Sequence, residues 1–367
     1  MRGAETSRRI DSFRLTLLLC WLLTPLPWQN SAAAESADAV ILLYHHVSNT
    51  TPPSTSVSPD RFEEHLDFLE RQGYVVLPLQ EIVEALTSGA GLAAKAVGIT
   101  FDDGYESIYT EALPRLERRG LPFTVFVSTQ AIDDSYANFM TWDELRDLES
   151  RGGTIANHGR AHAHLIRREA GEAAGDWRRR VSDDILTAQG RLDAELDRPL
   201  RLFAYPYGEF DASLEVIVAD LDLIAFGQQS GPIGAVSDRR QLARFPMATG
   251  FDSLSSLAEK LRTRPLPVEV IAPASRVLPA GADAPVLELR VPDGAYRRDA
   301  LRCYVAGQEP ALIRWNGDVA TVRAQRPLGP GRGKYNCTAP SDSERGVYYW
   351  YSHLWIQPRD DGSWYAE

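Results

Sequence analysis

From about residue 38 to residue 265, short apolar runs alternate with amphipathic stretches. Ala39 to Tyr44 is a continuous apolar run of strand length. Ser58 and Pro59 predict a helix start, with Ser58 as N-cap and Pro59 in the first turn. Phe62, Leu66 and Leu69 then recur at helical spacing, and Gly73 stops the helix. Short strands are predicted at 74–77 and 97–101, and a helix follows to about Gly120. Phe123 to Val127 reads as a buried strand, and Thr141 with Glu144 forms a capping-box signal for a helix ending near Gly152. Thr154 to Ala156, Leu202 to Tyr205 and Ile224 to Phe226 are further strands, with a longer helix marked by Ile185, Leu192 and Leu196. Repeated strand–helix alternation predicts parallel strands with crossover helices, in an open α/β sheet or a barrel.

The texture changes after about residue 266. Pro265 to Pro273 has the punctuation of a linker, and strand-like runs follow at 286–291, 301–305, 311–315, 320–324 and 346–356. This pattern predicts an all-β module over 266–367. Trp315 follows Cys303 by 12 residues and Tyr335 precedes Cys337 by two. That order of Cys, Trp and Tyr-x-Cys suggests an immunoglobulin-like sandwich, although the interval between the cysteines is short for one.

The first 34 residues differ in kind. Arg8, Arg9 and Arg14 precede an apolar run from Leu15 to Leu26, and Ala32 to Ala34 offers small residues for cleavage. This is the layout of a secretory signal, and the run is short for a spanning helix, which needs about 20 apolar residues. A signal anchor is the alternative. Export would place the chain in a periplasmic or extracellular compartment. Cleavage would remove Cys20, leaving Cys303 and Cys337 as an even pair suited to one disulfide. The formal net charge of −11 and the lack of a basic cluster argue against nucleic acid as a partner.

Polar groups gather where the apolar runs end. His45 follows the first, Asp102 and Asp103 follow Phe101, His158 and His162 follow Asn157, and Tyr205, Pro206 and Tyr207 follow Ala204. Parallel α/β folds build their sites at strand carboxyl ends. Two imidazoles and a carboxylate are a common catalytic zinc arrangement. The four-residue interval between His158 and His162 suits one face of a tight loop or helical turn. Adjacent carboxylates repel unless a cation is near; in a turn one could bind metal while the other takes a proton.

GITFDDGYES, NHGRAHAHL and FAYPYGEF together resemble the polysaccharide deacetylase family of carbohydrate esterases. The likeness covers roughly residues 38–250. Tyr44 to Val47 and the Phe-Ala-Tyr-Pro-Tyr-Gly run are most similar to the circularly permuted branch that deacetylates poly-β-1,6-N-acetylglucosamine in biofilms. The resemblance implies a distorted (β/α) barrel, a 35–265 catalytic domain and an N-acetylated polysaccharide substrate. It implies a divalent metal, zinc above cobalt or nickel, held by Asp103, His158 and His162. Asp102 would be the general base. His45 would be the acid, with His46 as fallback, and the backbone N–H of Tyr207 would face the developing oxyanion beside Tyr205 and Pro206. Many members carry Arg before the Pro-Tyr motif, to orient the base; here Ala204 stands there.

That departure keeps an inactive polysaccharide-binding protein in play, beside an O-acetyl esterase or other exported metal hydrolase. His164 could contact substrate and Trp142 could line a sugar groove, whereas His65 reads as a surface residue. The aromatic run Tyr348 to Trp355 fits interdomain packing, or envelope and polymer contact through the C-terminal module.

Overall fold

A strand buried on both faces has no polar alternation, and the continuous apolar runs behave accordingly. In the computed structural model, Asp38–Tyr44, Ala96–Phe101, Phe123–Val127, Gly153–Asn157, Leu202–Ala204 and Ile224–Phe226 lie side by side, each parallel to the next. The structure describes residues 38–366, with Met1, Gly3 and the backbone of Glu35–Ser36. The expected signal segment, 1–34, otherwise lies outside the described residues. Among the described residues, no helix is long and apolar enough to cross a membrane.

The sheet curls until its ends nearly meet. Phe245–Pro246 pairs in parallel with Leu42 and Leu43 of the first strand, and Leu242 bridges Phe226 of the sixth. Residues 242–246 therefore occupy the gap between first and last strands, and the distorted barrel closes through them. The helices follow from their caps and stripes. Pro59–Arg71 begins where Ser58 accepts a hydrogen bond from the Arg61 N–H, and Trp142–Ser150 begins with the full Thr141–Glu144 capping box. All six barrel strands point their carboxyl ends to one rim, which carries the residues singled out above.

The C-terminal region is a sandwich of two four-stranded sheets, one made of Thr263–Pro265, Tyr348–Gln357, Gly331–Pro340 and Arg302–Val305, the other of Glu269–Ala272, Val286–Arg290, Val319–Arg323 and Leu312–Asn316. Leu287, Leu289, Ala320 and Val322 of one sheet meet Cys303, Tyr335, Cys337 and Trp355 of the other in a shared core. The expected linker is no linker. Thr263–Pro265 pairs with the last strand and Glu269–Ala272 with Val286–Arg290, because Val268 and Val270 pack on that core despite the prolines around them.

Cys303 and Cys337 form a disulfide. They sit opposite each other on adjacent strands of one sheet, so the bond does not join the two sheets as in an immunoglobulin domain. Trp315, expected against the disulfide, is 38% exposed, and Trp355 occupies the core instead. Tyr335 does tie the fold: its hydroxyl donates to the Pro285 carbonyl at 2.6 Å and accepts from the Ala324 N–H at 2.9 Å.

The sandwich and the barrel belong to one compact unit, Ala34–Glu367. The strand Tyr348–Gln357 explains why. Tyr349, Tyr351 and Trp355 face the sandwich core, while Trp350 meets Phe245 with ring centroids 5.4 Å apart, and Leu354 and Ile356 join a cluster with Tyr205 and Phe210. Strand periodicity thus gives this aromatic run two buried faces.

Candidate active site

Asp102 and Asp103 end the second barrel strand at a sharp turn. The Asp102 N–H donates to the Tyr44 carbonyl at 3.0 Å, and Asp103 adopts φ +77° before Gly104 at φ +90°. A left-handed aspartate is a strained choice, and it aims the two carboxylates at different partners. His158 and His162 sit on a loop rather than a helix, with Gly159 at φ +76° and His162 at φ +49°. Asp184 fastens that loop by accepting the N–H groups of Arg160 at 2.9 Å and Ala161 at 3.2 Å.

Asp103 Oδ1 lies 3.2 Å from His158 Nε2 and 3.1 Å from His162 Nε2. One ligand atom from each residue fits within 4.8 Å of the others. Both Asp103 Oδ1 and His158 Nε2 are buried without a hydrogen-bond partner among the described residues. His158 Nδ1 is 2.8 Å from the Ala204 carbonyl, which can only accept, so Nδ1 carries the proton and Nε2 presents its lone pair to the cluster. Two orphaned acceptors and a tautomer fixed from behind match a divalent cation, and the outer hydrogen bond is of the kind metal-binding histidines make. Burial pushes the Asp103 carboxyl up, but the imidazoles of His158 and His162 outweigh it and hold the group well below its usual range. Burial pulls His158 down, and the Asp102 charge with Asp103 raises it above its usual value.

Asp102 stands apart from that cluster and has its own counter-charge. Arg244 reaches it with Nη1 on Oδ1 at 2.7 Å and Nη2 on Oδ2 at 2.8 Å, both side chains fully buried. Arg244 Nε donates to the Gly227 carbonyl at 3.0 Å, and the guanidinium lies 5.2 Å from the Phe126 ring. Burial pushes Asp102 up, and Arg244 then His158 bring it below its ordinary value. Arg244 comes from the barrel-closing segment and makes with Asp102 the contact that an arginine at the Ala204 position was expected to make. Sequence reasoning missed it. The signal was an arginine inside the apolar run Leu242-Ala-Arg-Phe-Pro-Met247.

His45 ends the first strand beside this pair. Burial pulls its imidazole below the usual value, against Asp103 and Asp102, which pull it up. His46 stacks on Tyr105, with centroids 3.6 Å apart. Tyr207 adopts φ +60° in the 3-10 turn Pro206–Gly208, and its ring lies 4.3 Å from His162. Tyr205 is buried behind the turn, its hydroxyl bonded to the Arg240 carbonyl at 2.7 Å. A cleft of about 290 Å³ opens beside Asp103 and His162, with Tyr105, Tyr136 and Phe139 among its walls.

Other expectations shift. Trp142 is not among the residues lining that cleft: its Nε1 donates to Asp133 at 2.9 Å beneath Arg191. His164 stacks on Tyr207 at 3.8 Å and bonds Glu209 at 2.8 Å. His65 is no surface residue; it is buried, 3.0 Å from the Tyr44 hydroxyl and 2.6 Å from the Asp252 carbonyl.

The curled α/β sheet, its gap bridged by residues 242–246, carries paired carboxylates and imidazoles at its carboxyl rim, where folds of this class build their sites. Residues 90–225 match the family model for polysaccharide deacetylase. A Bacillus subtilis (strain 168) protein, YxkH, provisionally named a polysaccharide deacetylase, is 26% identical over 177 residues, covering 48% of this chain and 59% of that one. Poly-beta-1,6-N-acetyl-D-glucosamine N-deacetylase of Escherichia coli (strain K12) is 26% identical over 225 residues, 51% of this chain and 32% of that one. This chain therefore spans less than two thirds of the first relative and about a third of the second. Among solved structures, Streptococcus pyogenes deacetylase PplD in complex with acetate shares the fold at TM-score 0.55 and 24% identity, over 62% of this chain and 99% of that one. IcaB from Ammonifex degensii does so at TM-score 0.54 and 22% identity, over 62% and 98%.

Proposed function

We propose that this chain is an exported, metal-dependent N-deacetylase that hydrolyses the acetamido groups of N-acetylglucosamine polymers, with the β-1,6-linked polymer as its foremost substrate. The observation that carries the reading is the Asp103, His158 and His162 cluster beside a second carboxylate, Asp102, kept ionised by Arg244. A divalent cation, zinc by preference and cobalt or nickel as alternates, would be held by those three residues and would supply Lewis acidity and a lowered water pKa.

The remaining chemistry belongs to the chain. Asp102 takes the proton of the attacking water, and Arg244 fixes its orientation and holds it unprotonated until then. The backbone N–H of Tyr207 donates to the acetyl oxygen as that oxygen gains charge, a contribution of roughly 3 kcal/mol for one such donor. His45, entering the step as the imidazolium, gives its proton to the amide nitrogen, and the proton taken by Asp102 returns to solvent. The water oxygen bonds to the acetyl carbon, the C–N bond breaks, and acetate and a free amine leave. Tyr105, Tyr136 and Phe139 provide faces on which sugar rings stack. The signal-like first 34 residues support export, and the disulfide suits an oxidising compartment. The Arg244–Asp102 pair supports catalysis over the inactive binding protein that Ala204 suggested.

Purified protein incubated with β-1,6-linked N-acetylglucosamine oligomers tests the reading. The expected result is equal release of acetate and free amine, abolished by a chelator and restored by zinc. Release only from O-acetylated sugars would make it an esterase. No release from either would return it to a binding role.

A further inference from the structure

The sandwich does more than pack against the barrel, because its strand Gly331–Pro340 and its C-terminal tail reach the loops that shape the site. Arg332 Nη1 donates to the Tyr207 carbonyl at 2.6 Å, and its guanidinium lies 5.7 Å from the Tyr207 ring. His164 stacks on the same ring at 3.8 Å with an interplanar angle of 9°. Lys334 Nζ donates to the Gln228 carbonyl at 2.7 Å, and the Gln228 amide lies 3.5 Å from Asp102 Oδ2. The Tyr365 hydroxyl donates to Glu209, the buried carboxylate that holds His164. The two loops also touch each other: a Cβ on Gly208 would lie 2.6 Å from Gln228 Cβ.

We propose that the C-terminal sandwich is a positioning element for hydrolysis, acting chiefly through Arg332, which holds Tyr207 in its left-handed conformation. The inference rests on the N-deacetylase reading above and adds to it a role for residues outside the matched deacetylase domain. A tyrosine at φ +60° is disfavoured by its own Cβ and persists where its surroundings over-determine it. A cationic donor on its carbonyl fixes the peptide that follows Tyr207, and the His164 stack fixes its ring. Together they hold the peptide that precedes Tyr207, whose N–H is the oxyanion donor. Arg332 acts through Tyr207, as a positioning residue. Its effect therefore falls on how well the donor is aimed once substrate is bound, which is a kcat effect. Lys334 acts in the same sense on the Gln228 side.

The test uses the full chain with Arg332→Ala, Arg332→Lys and Tyr365→Phe. Steady-state kinetics on a β-1,6-linked N-acetylglucosamine oligomer are combined with amide hydrogen exchange of residues 205–229 and bound-metal content. Arg332→Ala is expected to lower kcat by about 10- to 100-fold, less than the roughly 100- to 1000-fold that outright loss of one oxyanion donor costs, with KM within about twofold. Metal content should be unchanged and exchange at 205–209 should rise about tenfold or more. Arg332→Lys is expected to recover part of both effects, because the charge returns without the fork. Tyr365→Phe is expected to speed exchange at 209 with a smaller kcat loss. A kcat within twofold of wild type, or a lowered kcat with unchanged exchange at 205–209, overturns the proposal. If the wild-type chain releases no acetate, the N-deacetylase reading fails by itself, and the exchange measurement still decides whether the sandwich holds the loop.

Discussion

Replacing Arg244 with Met keeps an unbranched apolar stem, shortens the side chain and removes the guanidinium with its charge. The Asp102 carboxylate, fully buried, then loses two charge-assisted hydrogen bonds of 2.7 and 2.8 Å, and the Gly227 carbonyl loses its donor. Breaking a buried pair from one side costs about 3–5 kcal/mol, since the remaining charge has no compensation. The sign with pH follows from the directions of the shifts. In the wild type the pair holds Asp102 below its ordinary value, so its stabilisation is present at neutral pH and fades as pH falls through that depressed value. In Arg244→Met the burial that pushes Asp102 up is opposed only by His158 and His45, and its value rises relative to wild type. The stability deficit should therefore be largest near pH 7–8 and shrink on acidification, as the carboxyl becomes neutral. The acid limb of kcat/KM should move to higher pH in parallel, because a protonated Asp102 cannot accept the water proton. Arg244→Lys should fall between, with the charge but not the bidentate geometry. Urea unfolding from pH 5 to 8 and a pH–rate profile over the same range read both effects. An unmoved acid limb together with a stability change below about 1 kcal/mol would refute the assignment of Arg244 as the partner of the base.

Lys260 is buried and its amine is pushed down to about 8 from 10.5, by burial first and against Asp252 and Glu259. Between those values the unfolded chain binds the extra proton, so folding stability contributed by this site rises with pH, by up to about 3 kcal/mol. Urea unfolding of wild type and Lys260→Met at pH 7.5 and pH 10 should differ by that trend in favour of wild type; a constant difference would contradict a charged buried amine. Gly208→Ala meets Gln228 at 2.6 Å in a residue at φ +66°. It should cost about 1–3 kcal/mol in stability and lower kcat, and wild-type behaviour in both assays would show that the two loops can separate freely.

The barrel strands were legible because burial on both faces writes an unbroken apolar run, as in Ala39 to Tyr44. Asp102, Asp103 and His158 were legible because they follow such runs closely, and His162 because it lies four residues after His158. Arg244 was not, because it lies in a mostly irregular segment and meets Asp102 only through barrel closure, 142 residues away along the chain. His65 was open to a better reading, since it lies three residues after Phe62 and four before Leu69, on the buried stripe of its helix. The strand Gly331–Pro340 escaped notice because glycines, Arg332, Lys334 and Asn336 break its apolar alternation. Those same polar residues are the ones that reach the barrel loops. The linker expected at Pro265–Pro273 failed for a related reason: proline content hid the alternation of Leu266, Val268 and Val270.

The account stands on the division of labour between two neighbouring aspartates. Metal content of the purified chain, measured per molecule after dialysis against trace zinc, tests it for wild type, Asp102→Asn and His158→Ala. The expected values are about one ion for wild type and for Asp102→Asn, with acetate release lost in the latter, and far less than one for His158→Ala. Full metal occupancy and full turnover in both variants would contradict it.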